Sequence, residues 1–171
     1  EYTLSDMAKD AVALLEILNI KKAHIIGASM GGMITQILAL DHPEKVLTIT
    51  PIMTSPGMQN DSLSGPTEEL LEAYKKSFVH NVRGRIEDGV VEIYRQLTGS
   101  RFPFDEQKFR DKLKPVISHG NNPFALHVDA VGASPDRTSR LNEIKVPALI
   151  IHGTEDAILP LDHGMAVADG I

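Results

Sequence analysis

The residues of this sequence that best suit chemistry lie at positions 27–31, which read Gly-Ala-Ser-Met-Gly. A serine with a glycine two residues away on each side is typical of a sharp turn between a strand and a helix, where strained backbone angles push the hydroxyl outwards. A helix that begins at Met30 directs its N–H groups and the positive end of its dipole at that hydroxyl. The pattern therefore predicts that Ser29 is a nucleophile and that the Met30 N–H stabilises an oxyanion.

Two other interpretations of these glycines are weaker. A phosphate-binding loop requires Gly-Lys-Ser/Thr, and the sequence contains no such triplet. A glycine-rich turn in which Ser29 only caps a helix remains open. The neighbouring segments favour the nucleophile, because a short apolar run precedes the turn and an apolar helix follows it. Gly27 and Gly31 are expected to lie where chain segments crowd, so that only small side chains fit, and Gly32 is expected to relax the packing further.

A serine nucleophile needs a base, and the base needs a carboxylate that orients it. In chains with this kind of turn, the order along the sequence is serine, acid, histidine. Asp156 follows an apolar run at 146–152, which predicts that it is the acid and lies at the same edge of the sheet as Ser29. The alternative is that Asp156 only forms a turn or caps a helix. The adjacent Glu155 is expected to point away into solvent.

None of the seven histidines is assigned as the base. His163 follows Asp156 in the required order, but it comes only seven residues later and at the start of the next helix. The base should follow one further helix and strand, and we therefore expect it outside this chain, beyond Ile171. The sequence has no cysteine, which excludes disulfides, thiolate metal sites and a cysteine nucleophile.

The elements that position these residues are predicted from hydrophobic periodicity. Three apolar runs without polar alternation are predicted to be strands buried on both faces, as in a parallel sheet; they are Ala23–Gly27, Val46–Met53 and Val146–His152. Helical spacing predicts a first helix that starts near Leu4 with Thr3 or Ser5 as its N-cap. A second, buried helix is predicted over Met30–Leu40. Strand, helix and strand in this order form a βαβ unit.

The middle of the sequence differs from the two ends. Residues 54–67 are rich in Pro, Gly, Ser and Asn and are predicted to form a linker. Amphipathic helical stretches follow from residue 68 to about 119, with a further short helix near 123–131, and no strand pattern appears there. The layout indicates a parallel α/β core that is interrupted by a helical insertion.

Composition narrows the classes of function. The chain has 171 residues, of which 42% are hydrophobic, and its net charge is -6. This length is sufficient for one domain with a hydrophobic core. A nucleic-acid surface needs clustered Lys and Arg, and the net negative charge of this chain argues against such a surface. No apolar run reaches the length of a membrane span. We therefore expect a cytoplasmic protein that acts on a small molecule, with no nucleic-acid partner and no membrane span, and its oligomeric state stays open.

The sequence resembles the α/β-hydrolase family, in its lipase, esterase and peroxidase-like group. Residues 2–53 resemble the helix, nucleophile strand, turn and following strand of that family, and residues 141–163 resemble its acid-strand region. The segments Ser5–Asp10 and Ser29–Gly32 look most like those of methylesterase-type members. The resemblance implies an α/β fold whose parallel sheet carries a helical cap insertion and which is incomplete at both termini. It assigns residues 1–56 and 141–171 to the core and 57–140 to the cap.

The resemblance also implies a function. The chain is expected to belong to a serine hydrolase of carboxylic esters, in which Ser29 attacks, Asp156 orients a histidine outside the chain and the Met30 N–H holds the oxyanion. No organic cofactor and no metal are expected, and the chain produced alone is expected to be inactive. Lactone hydrolysis, C–C bond hydrolysis and cofactor-free perhydrolysis use the same groups and stay open. So does a non-catalytic, ligand-binding member of the fold. Epoxide hydrolases and haloalkane dehalogenases are disfavoured, because their nucleophile is a carboxylate.

The predicted cap also contains candidates for the lining of a substrate pocket. The alternative is that these side chains only pack the core of the cap itself. They are Phe102, Phe104, Leu113 and Phe124.

Overall fold

The computed structural model describes residues 2–119 and 124–171. The chain divides into two compact units. The first unit comprises Glu1–Ser64, Phe124–Gly153 and Leu161–Ile171, and the second comprises Gly65–Pro123 and Thr154–Pro160. The chain therefore leaves the first unit twice and returns to it twice. The loop that contains Asp156 belongs to the second unit.

The first unit begins with helix α1, Leu4–Ile17. Thr3 caps it, since its side chain accepts a hydrogen bond from the Asp6 N–H while the Asp6 carboxylate accepts one from the Thr3 N–H. This reciprocal capping box satisfies two N–H groups that a helix start leaves without partners. Leu4 and Ala8 lie on the face that is buried in the core.

A βαβ unit follows, as predicted. Strand β1 spans Ala23–Ala28, helix α2 spans Met30–Asp41 and strand β2 spans Val46–Ile52, after a short 3₁₀ turn at Pro43–Lys45. The two strands are parallel, with Ala28 opposite Ile52. Their carboxyl ends therefore meet at one edge of the sheet, which is where Ser29 lies.

The third predicted strand, Val146–His152, lies parallel to β2 on the side away from β1 without forming a continuous strand. Ile49 pairs with Ala148 and Ile52 with Ile151. Backbone hydrogen bonds accompany both pairings, among them Leu149 N–H to Ile49 O at 3.0 Å and Met53 N–H to Ile151 O at 2.8 Å. The predicted parallel order is confirmed, and the regular ladder is shorter than expected.

Burial of the strands on both faces was the wrong expectation for β1. Its residues alternate between half-buried and exposed, and Ile26 is 70% exposed. Ile25, on the opposite face, packs against the core together with the buried Ile49 of β2. In the part of the chain that the structure describes, one face of the sheet is covered and the other is not.

The core of the first unit also takes residues from the segment predicted as cap. Helix α6, Phe124–Gly132, contributes Ala130, and the 3₁₀ segment Thr138–Glu143 contributes Leu141. Both residues pack in one cluster with residues of α1, α2 and β2. The compact helical unit is therefore shorter than the predicted 57–140 segment. The last helix of the chain, α7, spans Leu161–Gly170.

The second unit is helical, with α3 at Glu68–Val82, α4 at Ile86–Leu97 and α5 at Glu106–Ser118. Gly89 on α4 allows close contact with α3, because a Cβ at that position would lie 2.8 Å from Ser77 Oγ. Among the described residues, no helix is long and apolar enough to cross a membrane.

The candidate pocket residues occupy different environments in this unit. The ring of Phe104 contacts that of Phe109 in a tilted arrangement, with 5.5 Å between ring centroids, which is packing within the unit. Phe102, in contrast, is 64% exposed. Leu113 is half-buried. The side chain of Phe124 lies outside the described residues.

Candidate active site

Ser29 has a strained backbone conformation at the junction of β1 and α2. Its φ of 53° and ψ of -119° place a non-glycine residue in the positive-φ region, which L side chains rarely adopt. Such strain persists only where the surroundings determine the backbone. Here the Ser29 N–H donates to Ile52 O at 2.9 Å, and the Ser29 carbonyl accepts hydrogen bonds from Gly32 N–H at 2.9 Å and Met33 N–H at 3.2 Å.

The side chain of Ser29 is exposed and is not used by the helix. Ser29 occupies the N-cap position of α2, yet its hydroxyl makes no capping hydrogen bond. Met30 is the first helical residue, so its backbone N–H has no acceptor within its own helix. An exposed hydroxyl therefore sits beside an N–H group at the positive end of a helix dipole, which is an arrangement suited to attack on a carbonyl and to stabilisation of the oxyanion that forms.

The glycines around Ser29 have unequal roles. A Cβ on Gly27 would lie 2.1 Å from Gly31 O, and a Cβ on Gly32 would lie 2.6 Å from Thr54 Cβ. A Cβ on Gly31 would meet no described atom within 4 Å, apart from its chain neighbours and the backbone of its own helix. The expectation that Gly31 must be small because chain segments crowd it was therefore wrong. Gly32, which was expected only to relax the packing, is a site of close contact.

This difference leads to a paired prediction about two neighbouring positions. Gly32→Ala should destabilise the protein by about 1–3 kcal/mol, because Thr54 is buried and cannot move away from the new methyl group. Gly31→Ala should be neutral or stabilising by up to about 1 kcal/mol, since alanine is the better helix former. Denaturant unfolding of both variants measures this, and equal losses at the two positions would contradict it.

Asp156 lies in a tight turn of the second unit. Its Oδ1 accepts hydrogen bonds from the N–H groups of Ile158 and Leu159, both at 2.9 Å. The next residue, Ala157, is buried and accepts a hydrogen bond from the Thr67 N–H at 3.0 Å, which ties the turn to the start of α3. The carboxylate is thus held in one orientation by the backbone, and one of its oxygens does serve the turn.

Glu155 is exposed, as expected, and its carboxylate also binds another segment of the chain. Its carboxylate accepts hydrogen bonds from the N–H and the hydroxyl of Ser100, both at 2.6 Å. These bonds lower the pKa of the Glu155 carboxyl. Gly99 permits the approach, since a Cβ there would lie 2.8 Å from Glu155 Oε2 and its φ is +69°. The residue beside Asp156 therefore fastens its loop to the segment that follows α4.

His163 is engaged in the interior of the first unit. It is 4% exposed, with Nδ1 2.9 Å from Ser55 Oγ and Nε2 2.8 Å from Ser64 O. Both ring nitrogens are thus occupied by partners other than Ser29. Ser55 and His163 form a serine–histidine pair, but Ser55 is fully buried and cannot meet a substrate.

Sequence patterns gave no sign of the buried polar segment after β2. Residues 54–57 belong to the predicted linker, yet all four are buried. Arg137 binds this segment through its backbone N–H, which donates to Pro56 O at 3.0 Å. Burial lowers the pKa of its guanidinium to about 10, against the opposing influence of Asp136. Thr, Ser, Pro and Gly carry no hydrophobic periodicity, so their burial has no signature in composition.

No group of His, Cys, Asp and Glu that could hold a metal ion occurs among residues 2–119 and 124–171.

Comparison with known proteins gives concordant matches along the chain. A family model described as alpha/beta hydrolase fold matches residues 1–171. Rhodomycin D methylesterase DauP from Streptomyces sp. is 30% identical over 99% of this chain and 63% of its own length. A 2-hydroxy-6-oxononadienedioate/2-hydroxy-6-oxononatrienedioate hydrolase from Paraburkholderia phymatum is 30% identical over 92% of this chain and 54% of its own length.

Among solved structures, the enol-lactonase from Burkholderia xenovorans LB400 superposes with a TM-score of 0.73 at 23% identity. The superposition covers 99% of this chain and 62% of that enzyme. At this identity the match supports a shared fold and nothing more. The chain thus spans between about half and two thirds of the length of the proteins it matches.

Proposed function

Because this chain belongs to the alpha/beta hydrolase fold family, we propose that it carries the nucleophile of a serine hydrolase that acts on carboxylic esters. The observation that carries the proposal is the strained backbone of Ser29, whose hydroxyl is exposed and makes no capping bond at the start of a helix. Strain of this kind costs about 1–3 kcal/mol and concentrates at functional sites. A serine that only capped the helix would have a relaxed backbone and a bonded hydroxyl.

The proposed reaction has two steps. Ser29 Oγ attacks the ester carbonyl while a histidine base removes its proton, and the oxyanion is stabilised by the Met30 N–H. The histidine then protonates the leaving alcohol, which leaves an acyl group on Ser29. Water, activated by the same histidine, hydrolyses this acyl-enzyme and restores the Ser29 hydroxyl. We assign the orientation of this histidine to Asp156.

Asp156 is supported for this role by its local geometry. Two backbone N–H groups hold one of its oxygens, and the Ser100–Glu155 bonds fasten the loop next to it. A carboxylate held in this way can orient an imidazole without rearranging during the reaction. The helical second unit is proposed as the cap that selects substrates, since it is inserted between segments of the core.

C–C bond hydrolysis is the second candidate, and one observation favours it. The Paraburkholderia phymatum relative, named as a 2-hydroxy-6-oxononadienedioate/2-hydroxy-6-oxononatrienedioate hydrolase, has the same identity to this chain as the methylesterase, 30%. Lactone hydrolysis and cofactor-free perhydrolysis use the same groups. A ligand-binding member without catalysis is the alternative from another class.

Substrate profiling of the full-length protein tests these candidates against each other. The panel contains p-nitrophenyl esters of increasing chain length, methyl esters, lactones and a 2-hydroxy-6-oxo dienoate. We expect the highest kcat/KM with an ester, at or above about 10⁴ M⁻¹s⁻¹. The dienoate as the fastest substrate would favour C–C hydrolysis instead. A protein that binds panel members without turnover would be a ligand-binding member.

A further inference from the structure

Thr54 lies next to the nucleophile without being part of it. The residue is fully buried, two positions after the end of β2. Its hydroxyl donates to the carbonyl oxygen of Ser29 at 2.7 Å. This bond joins residues 25 positions apart in the sequence. It cannot be predicted from the types of the two residues.

The approach of Thr54 depends on Gly32. The Cβ, Cγ2 and Oγ1 atoms of Thr54 lie 2.6–2.8 Å from the point that a Cβ on Gly32 would occupy. All three atoms of the Thr54 side chain are thus in close contact with the first turn of α2. The hydroxyl is held towards the Ser29 carbonyl by packing as well as by the hydrogen bond itself.

The Ser29 carbonyl consequently accepts three hydrogen bonds. Two come from the N–H groups of Gly32 and Met33, as at the start of any helix. The third, from Thr54, is additional and is the shortest of the three. The Ser29 carbonyl and the Met30 N–H are the two ends of a single planar peptide group. Donors on the carbonyl therefore fix the direction of the Met30 N–H and, by polarising the peptide, make it a stronger donor.

We propose that Thr54 is a positioning residue for the oxyanion site, acting through the peptide group between Ser29 and Met30. The group that touches the substrate oxygen is the Met30 N–H, and Thr54 sets its direction and its strength as a donor. This inference rests on the proposed function, in which the Met30 N–H stabilises the oxyanion. It adds a requirement for a hydroxyl at position 54, which a residue that merely filled space would not have.

The test compares Thr54→Val, which replaces the hydroxyl with a methyl group of similar volume, with Thr54→Ser, which keeps the hydroxyl. Thr54→Val should lower kcat about tenfold at unchanged KM, because a weakened donor costs less than the roughly 10²-fold or greater loss of a donor itself. Thr54→Ser should keep most of the wild-type kcat. A trifluoromethyl ketone, which forms a tetrahedral oxyanion on the serine, should bind more weakly to Thr54→Val by the same factor as kcat/KM falls.

Thr48→Val is the matched control. Thr48 lies on β2, and its hydroxyl is 2.8 Å from His24 Nδ1, so this variant also loses a side-chain hydrogen bond but one that does not reach Ser29. Its kcat should equal that of the wild type. If Thr54→Val does not fold, Thr54→Ala removes the same hydroxyl without adding a methyl group.

A second readout needs no substrate. The amide proton of Met30, followed by NMR in the free protein, should shift in Thr54→Val but stay in place in Thr54→Ser and Thr48→Val. The inference is overturned if Thr54→Val keeps the wild-type kcat and Met30 shift, or if Thr54→Ser loses as much as Thr54→Val. If the wild-type protein shows no turnover that depends on Ser29, the proposed function fails, whereas the Met30 shift still decides whether Thr54 polarises this peptide.

Discussion

Ser29→Ala in the full-length protein should remove covalent labelling by a fluorophosphonate probe and lower kcat by about 10⁶-fold, as when other serine hydrolases lose their nucleophile. In the proposed mechanism the acyl group is carried by the Ser29 hydroxyl, and residues 27–31 contain no other hydroxyl or thiol. The fold should survive, because the hydrogen bonds that hold residue 29 use its backbone N–H and carbonyl and not its hydroxyl. Alanine also meets the same positive-φ strain as serine does.

Peptide mass mapping of the labelled protein locates the modified residue, and thermal unfolding verifies the fold. Ser62→Ala is the control, since Ser62 is an exposed serine outside the helices and strands. This variant should be labelled and should turn over substrate like the wild type. Labelling that persists in Ser29→Ala would show that the nucleophile is another residue.

Asp156→Asn should leave the fold intact and lower kcat by about 10⁴-fold, as the loss of the triad carboxylate does in serine proteases. The amide oxygen of asparagine can still accept the N–H groups of Ile158 and Leu159, so the turn is preserved. In the proposed mechanism, what is lost is the negative charge and the acceptor that would fix the tautomer of the histidine. KM should change little, because the proposed role of Asp156 is to act on the base and not on the bound ester.

Glu155→Gln provides the comparison for this effect. It removes a carboxylate at the adjacent position while keeping an oxygen that can accept from Ser100. Its kcat should fall far less than that of Asp156→Asn. Near-normal turnover in Asp156→Asn would mean that the acid lies elsewhere in the protein.

The local elements around Ser29 could be predicted from the sequence. The predicted strand at Ala23–Gly27 ends one residue short of β1, and the predicted helix Met30–Leu40 ends one residue short of α2. Apolar runs and turn glycines act within a few residues, so their consequences are readable along the chain. The same holds for the parallel order of the sheet, since a strand–helix–strand sequence strongly favours it.

The boundary of the helical unit could not be predicted in the same way. The amphipathic pattern of the segment around α6 indicates a helix, but it does not say which surface that helix covers. The structure places Ala130 and Leu141 in the core with Leu4 and Ile49. This choice depends on packing between residues that lie about 80 positions apart or further in the sequence, which a local pattern does not contain.

Residues 27–31 are sufficient to predict a serine on a strained turn before a helix, because the steric demands of that turn lie within the pentapeptide and its flanks. The sequence could not distinguish the two neighbouring glycines, Gly31 and Gly32. Their roles differ because Thr54, which follows the end of β2, packs against Gly32 and not against Gly31. The same contact brings a hydroxyl to the Ser29 carbonyl. Strain at Ser29 is thus encoded locally, whereas its hydrogen bonds to Ile52 and Thr54 form only when β1, α2 and β2 have packed together.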